Sequence, residues 1–168
     1  MSDPRVAELL SRRPWLVRAE QLALVALPPT ALAQAAQALA DTGAPFAQLI
    51  AEPNMITLVL PDATWQSLRA GFPQAQVEAP FRVISFDIDL PADLVGFLAA
   101  VGRALADAGV PILAVCGYTK DHILVRERHV PAALTALDSL AGPSGATSIV
   151  PSTSTSPPAA SGSRVSAG

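Results

Sequence analysis

One cysteine, Cys116, in 168 residues rules out an internal disulfide, so packing alone must hold the fold, and a reducing compartment such as the cytosol is expected. Charge is also scarce: Asp, Glu, Lys and Arg make up 15% of the chain and leave a net charge of −3. Arg12-Arg13 and Arg126-Glu127-Arg128 are small clusters rather than a basic stripe, which argues against a nucleic-acid partner. Aromatic residues are 5% of the total, and Trp15, Trp65, Phe72 and Phe81 read as core or interface residues rather than a base-stacking platform. The apolar run Leu22–Leu27 is cut by Pro28-Pro29, far short of the roughly 20 residues that cross a bilayer, so no membrane partner is expected. Met1-Ser2-Asp3-Pro4 lacks the basic-then-apolar order of a signal peptide, and the expected location is cytoplasmic. Nucleophile-elbow, Walker, HExxH and Gly-rich dinucleotide motifs are missing as well, which leaves no sequence reason to assert an enzyme, a catalytic residue or a cofactor. His122 and His129 fall on a strand and a later loop without the Cys/His cluster of a structural zinc site, so no metal is expected.

What is present is periodicity. The segment Phe81–Leu90 alternates Ile84, Phe86, Ile88 and Leu90 with Ser85, Asp87 and Asp89, the pattern of a half-buried strand. Leu94, Phe97, Leu98, Val101 and Leu105 then recur at helical spacing, with Asp93 as the expected N-cap and Gly109 just beyond the end. Pro111–Gly117 and Asp121–Val125 read as a hairpin around Tyr118-Thr119-Lys120. Pro131 suits the first turn of a second helix carrying Val130, Leu134, Leu137 and Leu140. A short strand near Thr147–Val150 would complete βαββαβ with both helices on one face of an antiparallel sheet.

The earlier part repeats this order: strand Leu22–Leu27, helix Thr30–Asp41, hairpin Phe46–Ala51 with Met55–Leu60, and a short helix capped by Asp62 that carries Trp65 and Leu68. Ahead of it, Pro4–Arg13 is expected as a short helix with Val6, Leu9 and Leu10 inward. The expected organisation is a lead-in over residues 1–21, a first unit over 22–75, a second over 80–150, and a disordered Ser/Thr/Pro/Ala-rich tail over 151–168. The fold class is therefore α+β, two ferredoxin-like units in tandem.

Asp93-Leu94-Val95-Gly96, Leu105–Ile112 and Cys116-Gly117-Tyr118-Thr119-Lys120-Asp121-His122-Ile123-Leu124-Val125 together resemble the ACT domain. More narrowly they are similar to the small tandem-ACT proteins related to the cytosolic arginine sensor, and the likeness extends over about Leu22 to Leu140 through Leu27-Pro28-Pro29, Ala44-Pro45-Phe46 and Thr57–Pro61. The resemblance implies a regulatory, amino-acid-binding protein whose ligand sits at the loop between first strand and first helix. On the residues themselves, amides at Leu94, Val95 and Gly96 after an Asp93 cap would suit a carboxylate, and Gly96 lets a ligand approach the backbone. Asp93 and Asp121 could hold an ammonium group, while Gly117 and Tyr118 complete the hairpin wall. The alternative is that Asp93 only caps the helix, Asp121 only shapes a turn, and the scaffold serves as a ligand-free dimerisation or interaction module. Cys116-Gly117 stand where the group has Ser-Thr, Thr119 where it has Asp, and His122 where it has Tyr, so the implied ligand need not be arginine. Cys116 itself is expected to be a small buried residue. A homo-oligomer built on exposed strand edges is the expected assembly.

Overall fold

The computed structural model describes residues 3–141 and 149–150; the expected tail over 151–168 lies outside them. In chain order they form α1 (Pro4–Ser11), β1 (Trp15–Arg18), β2 (Leu22–Leu27), α2 (Leu32–Thr42), β3 (Gln48–Glu52), β4 (Met55–Pro61), α3 (Asp62–Leu68), β5 (Gln76–Phe86), α4 (Phe97–Asp107), β6 (Ile112–Cys116), β7 (Asp121–Arg126), α5 (Val130–Leu140) and β8 (Ile149–Val150). All eight strands join one curled sheet.

A two-stranded ribbon organises that sheet. Trp15, Leu16 and Val17 lie opposite Phe86, Ser85 and Ile84, and Leu22 to Ala26 continue along the same strand opposite Phe81 to Gln76. Residues 15–27 thus run antiparallel along the length of β5, first as β1 and then as β2. Around the ribbon's first end the order is β3-β4-β2-β5, and around the other it is β6-β7-β5-β1. Each is the strand order of a βαββαβ unit, with β5 serving as the last strand of one and the first strand of the other. The fold is α+β with ACT-like ferredoxin units, as the patterning indicates.

Four details of the fold differ from what the sequence patterning indicates. The strand expected over Phe81–Leu90 begins at Gln76 and ends at Phe86, because the stretch before it pairs with β2 while Asp87 and beyond find no ladder. Ile88 and Leu90 still pack against the core, so the alternation in burial was real although the strand was not. The fourth place in the second set is filled by β1, a strand the reading lacked, and Ile149–Val150 pairs parallel to β1 outside it instead of completing the unit. At the start of α2, a tight turn at Pro29–Ala31 precedes the helix, which begins at Leu32 rather than at the expected Thr30, since two prolines set the backbone there. Asp62, expected to cap the next helix, is instead the first residue of α3; Pro61 holds the cap position and no side chain caps the helix.

Strand alternation splits the core into three. On one side of the second set, Val101 and Leu105 of α4 and Ala133 and Leu137 of α5 cover Trp15, Val17, Ile84, Phe86, Ile123 and Val125, joined by Val6 and Leu10 of α1. On the first set, Ala35 and Trp65 cover Val25, Leu27, Ile56, Leu58 and Leu60. The residues between these in the alternation, Leu22, Val59, Phe81, Val83 and Leu124, meet on the sheet's other face with Val115 and Phe46, where the curl brings the two sets together.

Candidate functional site

The loop from β5 to α4 and the hairpin between β6 and β7 stand side by side at one end of the sheet and enclose a cleft of about 350 Å³. Its walls include Leu94, Gly96, Gly117, Tyr118 and Asp121, five residues expected there from sequence, together with Leu98, Thr119 and Lys120. Lys120 is not among the expected site residues, and Thr119 enters the sequence analysis only as standing where the resembled group has Asp; the available signal for Lys120 is a cation beside Asp121 at the turn of the hairpin.

Two expected members lie elsewhere. Asp93 is outside the cleft wall, its carboxylate 3.1 Å from the Arg5 guanidinium, which also holds Asp3 at 2.7 Å. These contacts keep the Asp3 carboxyl below, and the Arg5 guanidinium above, their ordinary ranges, with the Arg5 hydrogen bond the leading cause for Asp3 and the Asp3 hydrogen bond for Arg5. Val95 is exposed, and its carbonyl accepts the Asp3 amide at 3.2 Å. The α1 start therefore straps the outer side of the loop.

Asp93 is also not the helix cap. The Leu94 N–H donates to Pro91 O at 2.9 Å, Gly96 takes the cap position at φ +95°, and α4 begins at Phe97. A left-handed dihedral there is open to glycine and strained for other residues, so Gly96 fixes the helix start three residues later than a side-chain cap would. The Ala100 N–H closes the first helical bond, to Gly96 O at 2.9 Å, which leaves the amides of Phe97, Leu98 and Ala99 as the helix's opening donors in place of the expected Leu94, Val95 and Gly96. All three residues border the cleft.

The opposite wall is held rigidly. The Gly117 N–H donates to Lys120 O at 2.8 Å, and a Cβ on Gly117 would lie only 3.1 Å from that same oxygen, so any side chain there requires the turn to open by a few tenths of an ångström. Thr119 O accepts the Leu90 N–H at 2.8 Å, and Lys120 pairs with Asp87, which raises the ammonium pKa. Loop and hairpin are thereby tied across the cleft. Cys116 is exposed rather than buried, on a strand that is an edge among the described ones; hydrogen bonding to Asp121 and then burial push its thiol pKa up.

Chemically the cleft offers helix N-terminal amides and Lys120 toward negative charge, Asp121 toward positive charge, and an apolar wall from Leu90, Leu94 and Leu98. Among the described residues no three metal-ligating side chains converge, and no helix is long and apolar enough to cross a membrane.

Residues 76–139 match the family model of the ACT domain, the stretch that contains β5, the cleft and all of α5 but its last residue. No curated protein matches the chain. Among solved structures, the fold is similar to a protein from Agrobacterium tumefaciens (TM-score 0.61, 17% identity, 83% of this chain and 92% of that one covered). It is also similar to a protein of unknown function from Vibrio cholerae described as a possible transport protein (0.61, 24%, 82% and 96%). A third likeness is the regulatory subunit of aspartate kinase from Thermus flavus (0.54, 15%, 76% and 96%). At these identities the likenesses show the fold.

Proposed function

We propose that this chain is a non-enzymatic, amino-acid-responsive regulatory protein, built from two ACT-like units that share β5, the second completed by β1, with its ligand in the cleft between the β5–α4 loop and the β6–β7 hairpin. The observation that carries the reading is the convergence on one cleft of the α4 N-terminus, Lys120 and Asp121. A zwitterion has a carboxylate for the first two and an ammonium for the third. The ACT match over 76–139 and the likeness to an aspartate kinase regulatory subunit support a regulatory role. An amino acid bound there stabilises the state in which loop and hairpin are closed, and this differential affinity is what can shift an assembly or a partner.

Thermal unfolding with each proteinogenic amino acid in turn tests the proposal. At about 100 times its dissociation constant a true ligand adds about 2.7 kcal/mol. A melting temperature unmoved by all of them removes the reading.

One observation favours a second reading. β6 is an edge among the described strands, its Ile112–Cys116 run carries no charge or proline, and Leu113 is exposed. Such an edge is open to pairing with another strand, so a homodimer, or a ligand-free interaction module, is the alternative. Assembly that is unchanged by every amino acid and lost when Leu113 becomes lysine would favour it.

A further inference from the structure

The sheet's inner face carries a polar cluster that the cleft does not use. His122 on β7 lies opposite Ser85 on β5, and its Nδ1 is 2.9 Å from Ser85 Oγ. Ser85 is the one polar residue in the buried set of described residues. The imidazole also meets the edge of the other strand set: its ring centroid is 5.1 Å from that of Phe46, which precedes β3, at an interplanar angle of 70°. On the same ring sits a second group, the Arg18 guanidinium from β1, 6.0 Å from the Phe46 centroid. Arg18 Nε is buried without a hydrogen-bond partner among the described residues, so part of that cation is poorly solvated.

Phe46 therefore bridges the first strand set to two groups of the second, one permanently charged and one that can become charged. We propose that His122 is a proton-operated joint: its neutral ring closes the seam between the two strand sets, and its protonation loosens that seam. The neutral imidazole can share one proton with Ser85 in either tautomer and present an uncharged edge or face to Phe46. The imidazolium places a second positive charge beside the same ring as Arg18, in a setting that already disfavours charge.

The other ionisable groups around the ring set the balance. Lys120 on the hairpin adds repulsion and Asp121, the neighbour on β7, adds attraction, while Ser85 on β5, Val115 on β6 and Phe46 are neutral. Burial first, and Arg18 next, pull the His122 pKa below its ordinary value against the opposing pull of Asp121. A base held below its unfolded value binds fewer protons when folded, so its stabilising contribution is complete above about pH 6.5 and is lost as pH falls from there through the folded midpoint. Each unit of depression appears as a tenfold loss in the folding equilibrium constant across that window.

The chain has only two histidines, which makes the test direct: both imidazoles are followed by NMR between pH 8 and 4.5 while unfolding is measured over the same range. The His122 signal is expected to titrate below about 6.5, with the Phe46 ring resonances moving at the same midpoint. Arg18→Met is expected to move that midpoint upward, and His122→Gln to flatten the stability profile between 6.5 and the midpoint. A His122 midpoint at or above 6.5, Phe46 resonances indifferent to it, or a His122→Gln profile parallel to the wild type overturns the proposal. If His122→Gln does not fold, the wild-type titration and Arg18→Met decide alone.

Discussion

Trp15→Ala is expected to cost about 3–5 kcal/mol in urea or thermal unfolding, as large a loss as any single truncation in this chain. Trp15 is 1% exposed, stands opposite Phe86 in the β1–β5 ladder, and shares a core cluster with residues of α1, α4 and α5. Alanine at this place removes an indole from a closed interior and leaves a cavity that β1, a four-residue strand, cannot fill by shifting. Domains are stable by about 5–15 kcal/mol in total, so the variant is expected to sit near the edge of folding. The effect also tests the topology. A cost under about 1 kcal/mol, as surface changes give, would contradict the packing of β1 against β5.

Asp121→Asn is expected to weaken amino-acid binding about 10- to 150-fold, because an ionised hydrogen-bond acceptor for a ligand ammonium contributes about 1.5–3 kcal/mol. Asparagine keeps the size of the side chain and an oxygen for the Cys116 thiol, so the hairpin is expected to hold its shape and the melting temperature without ligand to change little. The measurement is calorimetric titration of the amino acid that gives the largest thermal shift, into wild type and variant side by side. Equal dissociation constants would take Asp121 out of the site. Asp93→Asn serves as the matched control: its carboxylate faces Arg5 on the outside of the loop, and binding is expected to be unchanged.

Much of this architecture was legible because helical and strand spacing are local properties. Val101 and Leu105 in α4, Leu137 in α5 and Ile84 and Phe86 in β5 follow the expected stripes and are fully buried. The role of β1 was not legible: Trp-Leu-Val-Arg is too short to show a period, and its partner Phe86 lies some 70 residues away in sequence, so only tertiary pairing reveals it. The cleft was half legible for a related reason. Gly96 and the Gly117–Asp121 turn announce themselves by residue type, whereas the direction of Asp93 was decided by Arg5, 88 positions earlier, a charge that no local pattern ties to the loop. Asp93 before a helical stripe has the form of a cap; the positive φ of Gly96 displaced it.

The proposed regulation stands on a zwitterionic amino acid bound in the cleft at the start of α4. Backbone amide NMR of the intact chain during titration with the amino acid that stabilises it most tests this directly. The largest shifts are expected on Phe97, Leu98 and Ala99 together with Gly117 and Asp121, saturating together. Shifts that gather on other surfaces, or spectra that no amino acid alters, would contradict it.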